Sequence, residues 1–464
     1  MIKILPHEKV DILSKYKKLI DETEVIHSTG KVDKIVGLTI ESSGPAVQFG
    51  EICKIRLGAG KYLYAEVVGF HKNRVILMPI GDMRGVVPGA EVIAAGTQLT
   101  VPVGPQLLGR VISGVGAPLD GRGEIFSDMR YPVDGKPLNP LQRRLIKQPL
   151  SVGVRVIDGL ITVGRGQRIG IFSGSGVGKS TLLAMIARYT DADVNVIALI
   201  GERGREVRDF VEKELGEEGL KKSVVIVATS DQPPMIRLRG AFLAHAVAEY
   251  FRDQGNDVNI LMDSVTRFSL AQREVGLAAD DPPSVFSLLP RLLERSGTRE
   301  GAGSITGFYT ILVEADDMNE PIADAVRGIL DGHIVLDRSI ANRGHYPAVN
   351  VLASLSRCMK DVVTCEHKDA ANKMRELLAA YADAEDLINL GAYAKGSNSV
   401  VDRAIEMKPE IDAFLRQDIY ERDTFDNITH RLMSMFESKE SKGESTQKDY
   451  VAPVPYFART RRQA

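Results

Sequence analysis

The sequence predicts an α/β core flanked by two other units, an antiparallel β-barrel before it and an α-helical domain after it. Three observations carry this. From about Ser151 to Ser356 short apolar runs alternate with helical patterns, as right-handed crossovers building a largely parallel sheet require. From Gly30 to about Val101 short strand-like runs are broken by Gly and Pro, the spacing of a small barrel. Beyond Lys360 the apolar spacing is helical and no strand pattern recurs. The predicted units are an amphipathic helix in 1–26, a barrel over 27–101, a linker over 102–150 that wraps onto the core, the core over 151–359, helices over 360–436, and a tail over 437–464.

In chain order, Val10, Leu13, Tyr16 and Ile20 recur at helical spacing among Lys and Glu. Such a helix either packs on its own domain or docks on a partner or a membrane surface. The barrel runs are Ile35 to Ile40, Ile52 to Leu57, Tyr62 to Phe70 and Arg74 to Pro79. They lack the interleaved aromatic and basic residues on which single-stranded nucleic acid stacks, so the barrel reads as a structural collar. Gly, Pro and Asp crowd 102–150, and Pro132, Pro137, Pro140 and Pro149 keep it extended. Core strands are predicted at 167–172, 194–200, 223–229, 258–263, 307–313 and 332–336. The tail from Glu437 has no periodic apolar face and is expected to be disordered at least in part.

Of the 464 residues 44% are hydrophobic and 26% charged, the balance of a soluble globular protein, and the length suggests two to four domains. A net charge of −2 gives no bulk attraction to nucleic acid or anionic membranes. The opening MIKILPHEKV turns polar too early for a signal peptide, and no apolar run approaches the ~20 residues of a spanning helix. Cys53, Cys358 and Cys365 form no disulfide framework, which fits a reducing compartment. Cys358 and Cys365 with His367 do not match zinc spacing.

The chemistry centres on QRIGIFSGSGVGKST, Gln167 to Thr181. An apolar strand runs into Gly174, Gly176 and Gly178, then into Lys179, Ser180 and Thr181 at the head of a helix. Strand, glycine loop and helix together make a phosphate cradle: glycines turn backbone N–H groups inward, and the helix N-terminus adds partial positive charge. Lys179 would reach the β- and γ-phosphates, and the Ser180 hydroxyl would bind Mg²⁺. Ser173 stands where the strict pattern has Gly. Three further groups suit phosphoryl transfer. Asp263 ends the run Val258–Met262, where an acid can hold Mg²⁺ or its water. Glu202 is the first charge after strand 194–200 and can polarise an attacking water. Arg357, after VLASLS, is not expected near Lys179 in one subunit, so it would act across an interface as an arginine finger.

GSGVGKST, GERGREV, ILMDSVTRF, DPPSVFSLLPRLLERSG, HYPAVNVLASLSR and INLGAYAKGSN, in this order and spacing, resemble the ATPases of type III protein export. The resemblance runs from about Gly30 to Gln417. It is closest to the flagellum-specific branch, with the injectisome ATPases almost as similar and the β subunit of rotary ATP synthases a clear relative. It implies a RecA-like P-loop core. It also implies ATP and Mg²⁺ as ligands, with Ser173, Gly174, Ser175, Gly176, Val177, Gly178, Lys179, Ser180 and Thr181 around the phosphates. Glu202 then matches the catalytic glutamate, Arg203 its neighbouring arginine, and Asp263 the second acidic motif. Arg267 falls in the loop after Asp263, Arg357 matches the arginine lent to the next subunit, and Tyr346 would flank the adenine. The implied assembly is a homohexamer that energises export of flagellar proteins by unfolding substrates and releasing chaperones. The implied partners are a dimeric stator-like regulator at the N-terminal helix, stalk and export-gate proteins, and export chaperones and substrates, with no nucleic acid. The implied location is the cytoplasm, peripherally at the inner-membrane export apparatus. The alternatives are an injectisome ATPase, a rotary synthase subunit (which an absent DELSEED-type segment disfavours), an RNA-tracking ring motor, and a nucleotide-binding subunit without catalysis.

Overall fold

The computed structural model describes residues 28–58, 60–278, 285–313, 318 and 320–437. The helix expected within 1–26 and the tail expected beyond Glu437 lie outside the described residues.

Six strands close an antiparallel barrel: β1 (Thr29–Val36), β2 (Thr39–Ser43), β3 (Glu51–Gly58), β4 (Lys61–His71), β5 (Arg74–Pro79) and β6 (Glu91–Gln98), in the order β1-β2-β5-β4-β3-β6. Alternation fills its interior with Val32, Ile40, Cys53, Ile55, Ala65, Val67, Leu77 and Val92. The run Ile35 to Ile40 is not one strand. Gly37, at φ 56°, turns the chain there, and Val36 pairs with Thr39 across the hairpin. A left-handed residue inside an apolar run breaks the strand however hydrophobic its neighbours are.

The stretch 102–150 does more than wrap. Within it β7 (Val111–Ser113) pairs parallel with the core and becomes an edge strand of the main sheet. Arg110 holds this segment by a bidentate pair with Asp120, its Nε 2.6 Å from Oδ2.

The main sheet continues with β8 (Arg168–Ser173), β9 (Val194–Ile200), β10 (Ser223–Ala228), β11 (Asp257–Asp263), β12 (Ser304–Leu312), β13 (Gly332–Leu336) and β14 (Val349–Ser356). The spatial order is β14-β13-β8-β12-β11-β9-β10-β7, parallel except for β14, which runs against β13. Every residue of β9 and β10 is buried, as a sheet covered on both faces demands. The helices α1 (Lys179–Tyr189), α2 (Pro234–Asp253) and α3 (Val265–Ala278) cover it. Pairing of Ser173 with Leu312, and of Leu199 with Asp263, brings the carboxyl ends of β8, β12, β11 and β9 to one rim. In such sheets that rim is where ligands sit.

Two buried ion clusters tie the units together. Arg239 on α2 binds both oxygens of Asp134 at 2.8 Å and forks onto Glu66 of β4, which joins barrel, linker and core. Arg295, wholly buried, forks onto Glu249 at 2.8 and 2.7 Å and donates to the carbonyls of Val133 and Phe242. Helices α4 (Cys365–Asn389), α5 (Ser399–Leu415) and α6 (Phe425–Ser434) form the last unit, each N-capped by a side chain: Thr364, Asn398 and Thr424. Buried Arg155 donates to the Phe414 carbonyl at 2.9 Å, and Gln417 bridges Arg155 N–H and the Gly153 carbonyl, fixing these helices to the core. His367 is a packing residue here: its Nε2 lies 2.7 Å from the Gly159 carbonyl oxygen and its ring meets Phe425.

Candidate nucleotide site

The glycine loop leaves β8 at the rim. Gly176 (φ 78°) and Gly178 (φ 93°) hold left-handed backbone, which explains glycine at these two positions. Ser173, by contrast, is still the last residue of the strand, so the departure from the strict pattern costs no backbone strain. Its hydroxyl is buried with no hydrogen-bond partner among the described residues. Val177 is buried and anchors the loop's crest, while Ser175 and Gly176 stay exposed. Lys179 opens α1, and the first turn of that helix carries no acidic residue. The loop therefore offers helix-end amides and a cation to an anion.

Lys179 Nζ lies 2.5 Å from Asp263 Oδ1 and 3.8 Å from Glu202 Oε1. Asp263 is the last residue of β11 and almost wholly enclosed. Glu202 follows β9 after Gly201, whose left-handed φ of 76° turns the chain over the rim. A Cβ at Gly201 would stand 2.7 Å from Arg267 Cβ, so the Arg267 stem crosses directly above this turn. Arg267 lies in α3, not in a loop, because the helix starts only two residues after Asp263. Desolvation pushes the Glu202 carboxyl up to about 7, the negative Asp263 adds to the rise, and Lys179 and Arg267 oppose it. A carboxylate poised there changes charge in the working range of a general base.

Tyr346 stands beside the loop. Its ring carbons are 3.7 Å from where a Gly178 Cβ would be, and the ring is half exposed. Its carbonyl accepts from Gln417 N–H at 3.0 Å, so the helical domain holds it in place. Thr181 Oγ1 donates to Glu214 at 3.3 Å, away from Lys179's partners. Arg203 does not join the cluster: its side chain is exposed and meets Glu206 at 3.4 Å. Arg357 is also remote. Its N–H bonds to the Asp331 carbonyl, and Ser356 pairs with Gly332, at the amino end of β13. The loop end of that strand is Leu336, paired with Ser173. Five residues of strand, about 16 Å, separate the two ends. Arg357 is exposed at that far end.

The residues fit Mg²⁺-ATP on two counts. Lys179 sits among carboxylates that phosphate oxygens would replace, and among the described residues the Ser173 hydroxyl at the base of the loop lacks a partner. Among the described residues no three His, Cys, Asp or Glu side chains converge on a metal position. A divalent ion would therefore rely on the Ser180 hydroxyl, Asp263 and the phosphates, as it does in P-loop enzymes. The sequence reading did not single out Thr310, whose hydroxyl lies 2.8 Å from Asp263 Oδ1. Only the β11–β12 register brings it there, and no local motif marks it.

Comparison with known proteins agrees with this architecture. Residues 153–356 match the ATP synthase alpha/beta family, nucleotide-binding domain, and 32–96 match that family's beta-barrel domain. Residues 363–434 match the T3SS EscN ATPase C-terminal domain. A flagellum-specific ATP synthase of Bacillus subtilis is 56% identical over 417 residues, covering 87% of this chain and 94% of that one. A type 3 secretion system ATPase of Xanthomonas euvesicatoria is 50% identical, covering 88% of this chain and 93% of the relative. The assembled ATPase EscN of the enteropathogenic E. coli type III secretion system superposes with a TM-score of 0.81 at 43% identity, over 87% of this chain and 99% of EscN, and has also been solved with its central stalk EscO. The chain belongs to the ATP synthase alpha/beta family, in its branch of ATP-hydrolysing flagellar and type III secretion enzymes.

Proposed function

We propose that this chain works as a homohexameric ring that hydrolyses Mg²⁺-ATP to drive flagellar type III export, unfolding substrates and releasing their chaperones. The observation that carries the ring is the split of the site. Lys179, Glu202 and Asp263 converge at one rim of the sheet, while Arg357 sits exposed at the other. A neighbouring copy that presents its Arg357 to this rim completes the cluster, and EscN is an assembled ATPase of the same fold.

In this reading the amides of 174–180 hold the phosphates of ATP and Lys179 neutralises the terminal two. Bound Mg²⁺ supplies Lewis-acid neutralisation of phosphate charge. Ser180 and Asp263 hold it. Glu202 orients the attacking water and takes its proton, a role its raised proton affinity suits. Arg357 from the next protomer stabilises charge on the transferring phosphoryl group. Tyr346 offers the adenine a flat apolar face. Arg203, paired with Glu206 on the exposed helix Gly204–Asp209, serves the contact between protomers rather than the reacting atoms.

The stalk bound by EscN suggests a stalk-type partner in the pore. The remaining partners are the N-terminal regulator, the export gate, chaperones and substrates. Among the described residues no helix is long and apolar enough to cross a membrane. We place the ring in the cytoplasm, peripherally at the export apparatus.

A mixing experiment tests the split site. Glu202→Gln and Arg357→Ala are each inactive, but a mixture of the two forms some interfaces with an intact Glu202 on one side and an intact Arg357 on the other. Those interfaces recover ATP hydrolysis. A mixture as inactive as its components would mean that both residues act within one subunit, and the ring reading would lose its support.

A further inference from the structure

We propose that Thr310 is a positioning residue for hydrolysis: its hydroxyl locks the Asp263 carboxylate in the rotamer that receives the metal. The inference rests on the metal role given to Asp263 above and assigns the group that orients it.

Strand order makes the contact possible. β12 lies between β8, which carries the phosphate loop, and β11, which ends in Asp263. In register, Thr310 pairs with Ile171 on one side, and its neighbour Tyr309 pairs with Met262 on the other. Side chains alternate between faces, so Thr310 shares a face with Phe308, as Asp263 does with Leu261. Phe308 and Leu261 both belong to the cluster that contains Leu182, Leu183 and Ile186 of α1. Thr310 and Asp263 therefore look toward the helix that Lys179 opens.

At that point Asp263 Oδ1 accepts from two groups, Thr310 Oγ1 at 2.8 Å and Lys179 Nζ at 2.5 Å. Lys179 is the partner that leaves when phosphate enters, because it is the cation of the phosphate loop. Thr310 is the one that stays. It is fully buried, and its strand is clamped at both sides of the rim. Leu312 N–H donates to Thr266 Oγ1 at 2.9 Å, and Val313 N–H donates to the Ser173 carbonyl at 3.0 Å. The hydroxyl has one proton and a second possible acceptor, the Met262 carbonyl at 3.3 Å. The charged, closer carboxylate is the stronger acceptor. With Oδ1 held by Thr310, Oδ2 is left to face the loop once Lys179 has moved. Without the hydroxyl the carboxylate must find its rotamer anew in each turnover.

The test compares Thr310→Val, close in shape but without the donor, Thr310→Ser, which restores it, and Asp263→Asn. Each is assayed for fluorescent-nucleotide affinity in EDTA and across a Mg²⁺ titration, and for steady-state hydrolysis. Removing a group that orients a metal ligand typically costs 10–100-fold in metal affinity or activity. Thr310→Val should need roughly tenfold more Mg²⁺ to tighten nucleotide binding and lose ~10–100-fold in kcat. Its affinity in EDTA should stay within about twofold of the parent. Thr310→Ser should recover most of both losses. If Thr310→Val fails to fold, Thr310→Ala carries the same comparison. A valine variant with the parent's Mg²⁺ titration, beside an Asp263→Asn that has lost it, overturns the role of Thr310 alone. An Asp263→Asn variant with an unchanged titration overturns the metal assignment itself.

Discussion

Replacing Glu202 by Gln should abolish turnover and, at alkaline pH, make the nucleotide-free protein more stable. The carboxyl is enclosed, 14% exposed, 3.8 Å from Lys179 and close to the negative Asp263. Its proton affinity rises from the ordinary 4.5 to about 7. A carboxyl whose folded value is raised contributes stability that is fully present below 4.5 and is lost as pH climbs through about 7. The ionised form is thus tolerated rather than favoured by the fold. A tenfold change in proton affinity is about 1.4 kcal/mol, so the full rise corresponds to roughly 3 kcal/mol. Water reaching the part-exposed side chain reduces this to about 1–2 kcal/mol. Gln has the same shape and no charge. At pH 4 it should match the parent, whose Glu202 is then protonated in the folded and largely in the unfolded chain. At pH 8.5 it should melt later, by roughly 3–6 °C for a core of this size. Thermal melts at the two pH values, without nucleotide, read the difference directly. Hydrolysis by the parent should rise with pH through about 7 as the base form appears, and the Gln variant should show no such rise. A Gln variant that melts earlier than the parent at pH 8.5, or by an offset that does not change with pH, would show that the burial argument has the wrong sign.

Two other perturbations probe different joints. Tyr346→Ala should weaken ATP binding by roughly 5–100-fold, the range of base–aromatic stacking, while Tyr346→Phe keeps parent affinity; a fluorescent-nucleotide titration distinguishes them. Arg239→Met removes the cation between Glu66 and Asp134, and leaving buried carboxylates unpaired costs about 3–5 kcal/mol. Chemical denaturation should register that loss, limited proteolysis should cut earlier between barrel and core, and adding Glu66→Gln should recover part of the stability.

Local pattern determined what was legible in the sequence. Six core strands were predictable because each is a buried apolar run with punctuation on both sides, and the starts and ends differ from those observed by at most three residues. The phosphate loop was legible because Gly176 and Gly178 serve backbone angles open only to glycine. Features that depend on distant pairing were not. The turn at Gly37 lies inside an apolar run, and β7 is a three-residue strand hidden in a Gly- and Pro-rich stretch that makes sense only beside β10. Thr310 looks like any β-branched strand residue until the register sets it against Asp263. The exposed position of Arg203 follows from a helix that starts at Gly204 and turns its side chain toward Glu206.

The placement of Arg357 has a consequence for assembly. A parallel sheet has one rim rich in loops that can bind a ligand, and this chain puts its loop, Lys179, Glu202 and Asp263 there. The antiparallel strand β14 ends at the opposite rim and carries Arg357 to it. A flexible arginine reaches about 7 Å, less than half of the roughly 16 Å of strand between the rims, so no side-chain motion closes the gap within a protomer. A closed ring of identical subunits resolves it: each interface sets the two unlike rims of neighbouring copies against each other, a head-to-tail contact that repeats until it closes. Hydrolysis then becomes conditional on assembly. On the proposed split site, a free subunit would hold nucleotide with its own loop yet lack the cation that stabilises the transition state. Turnover per subunit should therefore rise with protein concentration until rings form, while nucleotide affinity changes little, a separation that no single-chain active site would produce.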